Sequence, residues 1–239
     1  LLFDNGTGAM TITGSTLGAT GAELIAIING TNSSNALTIN SLIGSGGASV
    51  TKAGTGTLVL GGANVYTGST IIDAGILRLS GATATLGAPA VASFAIIRQN
   101  SLLDVNGAGL SYALYPGGPA LPVTNLGALT GSGVLDNTSA TAVAVSLNGT
   151  NTGVFTGVIQ NSGVGALTLV RNAASGVQYL TGLNTYTGPT IISGGATLAI
   201  NTIANGGLAS SIGASSSAAS NLVFNNGVLQ YKGADANFV

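Results

Sequence analysis

VTKAGTGTLVLGGANVYTGSTIIDAGILRL, the stretch from Val50 to Leu79, recurs 120 residues further along in the run from Val170 to Ile200. Between Val50 and Gly75, 13 of 26 positions are identical at that fixed offset. The identities are four glycines, the apolar Val50, Ala53 and Leu60, and Asn64, Tyr66, Thr67, Thr70, Ile71 and Ile72, the last six matching Asn184, Tyr186, Thr187, Thr190, Ile191 and Ile192. So dense a repeat marks a unit that stacks on its like, because one such unit cannot bury its apolar face alone. Within it, the alternation at Leu58-Val59-Leu60 and Ile76-Leu77-Arg78-Leu79 has the period of a strand, sending leucines inward and Arg78 outward. Glycines between these runs permit the positive φ of tight corners. Asn64 and Asn184, in matching turns, are placed to cap backbone groups.

Outward from the repeat, the chain reads as strands throughout. Met10-Thr-Ile-Thr, Glu23-Leu-Ile-Ala-Ile-Ile and Ala36-Leu-Thr-Ile precede it, and Phe94-Ala-Ile-Ile and Ser101-Leu-Leu-Asp-Val follow. Further strands are Leu126 to Leu135, Val143-Ala-Val-Ser-Leu, Val154-Phe-Thr-Gly-Val-Ile, Leu222-Val-Phe and Val228-Leu-Gln-Tyr. Such short runs, bounded by Gly, Ser and Asn and without helical spacing, predict an all-β chain. Tyr112 to Pro122, YALYPGGPALP, is the exception: its prolines lack the N–H that a central ladder needs, which predicts a loop leaving the wall. The Ser- and Ala-rich run Ala209 to Ser220 is read as a surface excursion.

Composition bounds the chemistry. Of 239 residues only 5% are charged, 39 are glycine and 45% are apolar, with five cations, six anions and a net charge of −1. The apolar share separates the chain from disordered Gly/Ser-rich sequences. Five cations are too few to neutralise a nucleic-acid backbone, and no run reaches the length of a membrane helix. With no histidine and no cysteine, Ser-His-Asp and Cys-His catalysis, thiolate metal sites and disulfides are all excluded. The carboxylates Asp4, Glu23, Asp73, Asp104, Asp136 and Asp235 are far apart in sequence and are read as surface or turn groups rather than a catalytic pair. Asp73, matched by Ser193, is read as a turn stabiliser, and Lys52 and Arg171 as solvated charges that discourage lateral sheet pairing. No calcium nonapeptide and no phosphate-loop signature occurs. The expectation is no catalytic, cofactor or metal site. Sequons at Asn5, Asn29, Asn32, Asn137 and Asn148 are expected by chance in so Asn- and Thr-rich a chain. Tyr66 and Tyr186 are expected at one and the same corner, ring packed and hydroxyl at the surface.

Asn64-Val-Tyr-Thr-Gly-Ser-Thr-Ile-Ile and Asn184-Thr-Tyr-Thr-Gly-Pro-Thr-Ile-Ile, each followed by a glycine and a short apolar alternation, resemble the autotransporter-associated (passenger-associated) β-strand repeat of bacterial surface proteins. Gly54 to Gly62, Phe155 to Ile159, Ser211 to Ser215 and Gly227 to Gly233 extend the resemblance to about two thirds of the chain. It implies an extracellular or cell-surface right-handed parallel β-helix, part of a long passenger region with no single biochemical activity. The expected organisation is one continuous β-solenoid over residues 1–239, with about twelve coils of roughly 20 residues. The expected function is structural: a stalk, adhesin shaft or filament subunit. The alternative is a polysaccharide-binding or polysaccharide-degrading β-helix. Irregular Thr-Xaa-Thr spacing argues against ice binding. Expected partners are further coils of the same chain or identical copies stacked end to end, with no nucleic acid and no membrane insertion by this segment. Strand-like runs at both ends, with neither a leader nor a cap, fit an internal piece of a longer protein. Tyr112, Tyr115, Pro116, Pro119 and Pro122 are the candidate inter-chain contact.

Overall fold

The computed structural model describes residues 8–18, 23–30, 36–44, 48–87, 93–114 and 118–234. Among these the only helical element is a 3-10 turn at Ala219–Asn221, and almost every strand pairing is parallel. Sheet I has nine strands: Leu24–Ile27, Val50–Ala53, Thr70–Ile72, Phe94–Ile97, Ala128–Gly131, Gly153–Phe155, Val177–Leu180, Thr197–Ile200 and Val228–Tyr231. Sheet II has seven: Met10–Ile12, Ala36–Ile39, Thr57–Leu60, Gly75–Leu79, Ser101–Asp104, Val134–Asp136 and Val158–Gln160. Sheet III has six: Leu110–Ala113, Ala120–Leu126, Val143–Leu147, Leu167–Asn172, Thr190–Ser193 and Leu222–Asn225. In the N-terminal part the third side carries, among the described residues, the two-stranded sheet of Thr16–Leu17 and Leu42–Ile43, continued by a Val65 N–H to Ile43 C=O bond and a bridge between Ala63 and Thr85.

Apart from the antiparallel pair Leu110–Ala113 and Ala120–Leu126 in sheet III, each strand of sheets I to III pairs in parallel with the one that follows it there after a full circuit of the chain. In sheet II, Leu37, Leu58, Leu77, Leu103, Leu135 and Ile159 fall on one another in register and are all completely buried. Side chains of one parity therefore form a continuous aliphatic column, each contributing about 1.5–3 kcal/mol. Most inward residues of sheets I to III join that same cluster. The expected twelve short circuits are corrected: sheet I holds nine strands, which at the usual spacing of about 4.8 Å span roughly 38 Å. Circuits are longer than 20 residues because corners and excursions add length. Ile97 stands opposite Gly131 across the hairpin segment, and Thr197 opposite Val228 across the Ser/Ala-rich excursion.

The excursion does not stay on the surface throughout. Ser210, Ser211 and Gly213 return to the wall and are buried, whereas Ser216 to Ser220 are exposed.

The two repeats do not stack side over side, which corrects the expectation for Tyr66 and Tyr186. In sheet I, Lys52 lies opposite Ile72, then Ile97, Gly131, Phe155 and Leu180 in succession. Arg171 lies instead in sheet III, opposite Leu147 and Ile192. Five circuits from the first copy thus reach Leu180, and the offset of 120 residues stops one side short. Tyr66 precedes a sheet I strand and Tyr186 a sheet III strand. The repeat tolerates this because each copy contains its own ladder partner: Val50 pairs with Thr70 and Thr57 with Ile76, as Leu169 pairs with Thr190 and Val177 with Thr197. A unit that closes one circuit on itself can begin on any side.

Candidate functional site

The groups with most chemical character lie inside the stack. Lys52 shares its strand parity with Val50, so its stem enters the core; both residues are completely buried. Its ammonium donates to the carbonyls of Ala53 at 2.8 Å, Gly54 at 2.6 Å and Ala74 at 3.0 Å. It thereby ties the corner after its own strand to the corner one circuit on. Arg171 does the same with more donors, reaching Leu147 and Gly149 one circuit back, Ser175 and Gly176 in its own circuit, and Thr197 one circuit on, at 2.8–3.3 Å. Neither cation takes a carboxylate partner among the described residues. The reading of both as solvated charges is corrected. At a corner, carbonyls of successive circuits converge with no strand to receive them, and an inward cation satisfies them. The register pairs Lys52 with Ile72 and Arg171 with Ile192, so the two cations are structural equivalents despite the one-residue offset in sequence.

Burial pushes the Lys52 ammonium down to about 8, and burial lowers the Arg171 guanidinium as well. The ordinary lysine value is about 10.4, so between about 8 and 10.4 the unfolded chain binds a proton that the folded chain does not. Stability from this group is therefore fully present above the unfolded value and is lost as pH falls through about 8. Urea midpoints measured from pH 7 to 10.5 are expected to rise in the native chain relative to Lys52→Met, whose own profile lacks that increment. Parallel profiles would remove the assignment.

The repeat corners share their internal bonding. Asn64 Oδ1 accepts from Ile43 N–H at 2.9 Å, one circuit back, and its Nδ2 donates to the Thr85 carbonyl at 2.8 Å, one circuit on. Asn184 repeats this with Ile159 N–H and the Ser211 carbonyl, both at 2.8 Å. Each asparagine stands in for a strand where the ladder is interrupted. Tyr66 and Tyr186 are buried, with hydroxyls 2.6 Å from Thr70 Oγ1 and Thr190 Oγ1. Burial raises both phenols well above their ordinary value. The expectation of a surface hydroxyl is thus corrected: a threonine four residues on satisfies it inside. The rings leave no room over Gly87 and Gly213, where an added Cβ would come within 3.0 Å of ring carbons.

Gln178 is a buried residue that sequence reading passed over. It occupies the place of Leu58 in the repeat, on the inward face, and is completely buried. Its amide reaches past Gly153 to Leu129, accepting from Leu129 N–H at 3.0 Å and donating to Leu129 C=O at 2.8 Å. The strands at Ala128–Gly131 and Gly153–Phe155 are in register at Gly131 and Phe155 only. The side-chain amide replaces the missing ladder bonds. A polar residue at an apolar repeat position was the available signal.

The structure brings two carboxylates together, contrary to the reading of them all as scattered. Asp104 and Asp136 are direct neighbours in sheet II, and both are buried. Each is saturated. Asp104 accepts from Arg78 at 2.7 Å, from the Thr138 hydroxyl at 2.8 Å and from Asn106 and Thr138 N–H. Asp136 accepts from Gln160 at 2.8 Å, the Ser162 hydroxyl at 2.7 Å and Ser162 N–H at 2.8 Å. Asp104 thereby caps the turn of its own circuit and that of the next, and Asp136 caps the turn of the next. Asp73 pairs with Arg98 on the surface, beside a shallow cleft of about 480 Å³ lined also by Ile96, Gln99 and Thr130. A second cleft of about 390 Å³ lies on the excursion, among Ile203, Leu208, Ile212, Asn221 and serines. Asn137 is completely buried with both amide groups engaged, which removes it as a glycan acceptor.

Of the candidate contact residues, Tyr112 is 43% exposed and donates to Asn125 Oδ1 at 3.1 Å. Pro119 is exposed, and Tyr115 and Pro116 lie outside the described residues. Pro122 was expected in a loop; it lies instead in a strand, because Leu110–Ala113 and Ala120–Leu126 form an antiparallel hairpin.

Residues 50–79 and 175–200 match the passenger-associated-transport-repeat. The chain is 37% identical over 243 residues to the adhesin BmaC autotransporter of Brucella suis biovar 1 (strain 1330), an alignment covering 98% of this chain and 6% of that protein. The chain therefore spans a small fraction of that relative's length. No solved structure matches the chain.

Proposed function

We propose, from the premise that this chain carries two passenger-associated-transport repeats, that it is a structural segment of a long bacterial autotransporter passenger, acting as a shaft or spacer outside the cell. It winds as one continuous right-handed parallel β-helix and works without catalysis. The observation that supports this best is the self-pairing repeat: a circuit that supplies its own ladder partner adds length with no change in design. Its neighbours are further coils of the same long chain or identical copies stacked end to end, and Tyr112, Tyr115, Pro116, Pro119 and Pro122 mark a side contact between rods. The similarity to an adhesin supports a role in attachment for the whole passenger, to which this segment contributes length. A polysaccharide-binding face would group acids with aromatic rings, and the cleft beside Asp73 is lined by no aromatic residue.

An epitope placed between Asn205 and Gly206, both exposed, tests the reading in the bacterium that makes the full protein. Labelling of intact cells is expected, together with an elongated particle in small-angle scattering of the isolated chain. Labelling only after permeabilisation, or a compact scattering profile, overturns it.

A further inference from the structure

The hairpin that opens sheet III leaves a strand edge in the middle of the stack, where added circuits do not cover it. All four residues of Leu110–Ala113 are exposed, Leu110 by 56% and Tyr112 by 43%. The direction of its free groups follows from its neighbour. Asn148 N–H donates to the Leu126 carbonyl, so Leu126, Thr124 and Pro122, alternating along the strand, face Val143–Leu147. Val123 and Leu121 then face the hairpin partner and exchange bonds with Leu110 and Tyr112. Ser111 and Ala113 are left with their N–H and C=O directed outward, without a partner among the described residues. Pro122 is tolerated because the parallel ladder on its side begins only at Val123.

Edges of this kind are ordinarily protected by charge, yet from Val105 to Leu135 there is no Asp, Glu, Lys or Arg. We propose that this edge pairs with the same edge of a second copy of the chain, antiparallel about a two-fold axis. Ser111 of each copy exchanges two hydrogen bonds with Ala113 of the other, and the two Tyr112 side chains meet at the axis in a non-hydrogen-bonded pair. The free edge is complementary to itself, and with no charged residue in the hairpin or in the sequence flanking it the strands themselves do not repel an identical copy. The bond from Tyr112 to Asn125 holds the strand in place for pairing. A short edge gives a weak contact singly, strengthened where many rods stand side by side on one surface.

This inference rests on the hairpin's assignment as a side contact between rods and adds its register. Sedimentation equilibrium of the 239-residue chain is expected to show a discrete dimer. Ser111→Pro removes an outward N–H while leaving the hairpin's own bonds intact, and is expected to weaken association at least tenfold; Ala113→Lys serves if the proline variant fails to fold. Because the chain lacks cysteine, Tyr112→Cys is expected to yield a disulfide dimer on mild oxidation, whereas Val164→Cys, at an 89% exposed position, does not. A monomer at all concentrations, or a dimer indifferent to both edge variants, overturns the proposal. A monomer that still scatters as a rod removes strand pairing alone; a compact particle removes the fibre reading.

Discussion

Replacing Arg171 with methionine is expected to destabilise the chain by about 4 kcal/mol, the cost of leaving several buried carbonyls without a donor. Methionine fills much of the volume, so the loss is polar and not a cavity. Five carbonyls from three successive circuits, Leu147, Gly149, Ser175, Gly176 and Thr197, depend on this one guanidinium. Arg171→Lys should fall between, since an ammonium carries three donors and cannot span the same fan of acceptors. Lys52→Met should cost less than Arg171→Met, because three carbonyls are released and not five. Stacked circuits need not unfold as one unit, so the measurement pairs urea unfolding with hydrogen exchange at residues 147–149 and 175–177. Protection there should fall first. A methionine variant within 1 kcal/mol of the native chain, on the scale of an ordinary surface change, would show that water reaches these carbonyls.

Gly182→Ala should be nearly as damaging, by about 3 kcal/mol or more, through overpacking alone. A Cβ at this position would lie 1.8 Å from the Gly157 carbonyl oxygen one circuit back. Its φ is not in the left-handed region, so no backbone strain accompanies the clash. The equivalent Gly62 would place its Cβ 2.5 Å from the Ser41 oxygen, a milder collision. The predicted order is therefore Gly182→Ala worse than Gly62→Ala, read as loss of thermal midpoint. Equal, small effects for both would mean that the circuits separate at little cost.

Much of the design is legible in residue order. Local alternation fixes which side chains enter the core, and the identities around Asn64 and Tyr66 fix a corner whose bonds recur at Asn184 and Tyr186. The same alternation already aimed Lys52 and Arg171 inward, alongside Val50 and Leu169. Taking them for solvated charges let residue type override parity, and a corner full of carbonyls explains why parity prevailed. Gln178 likewise betrayed itself only as an amide at a leucine position. Local alternation sets where these side chains point, while the groups they bond lie in other circuits, 21 to 27 residues away for the two asparagines and 49 for Gln178.

What the linear sequence leaves undetermined is the number of residues each circuit consumes, and therefore which side each segment occupies. Circuit length is the sum of corner and excursion lengths, which are not periodic. The hairpin at Leu110–Leu126 and the excursion before Leu222 lengthen two of them, and the second repeat arrives on sheet III rather than sheet I. The same accumulation sets Asp104 beside Asp136, Gln178 across from Leu129, and the Ser111 and Ala113 groups on an open edge. The sequence by itself determined an all-β chain of repeated circuits and which side chains its corners hold, because those rest on local alternation and on the repeat itself. Only the tertiary structure decided which circuits meet which, because strand register adds up over the whole path of the chain.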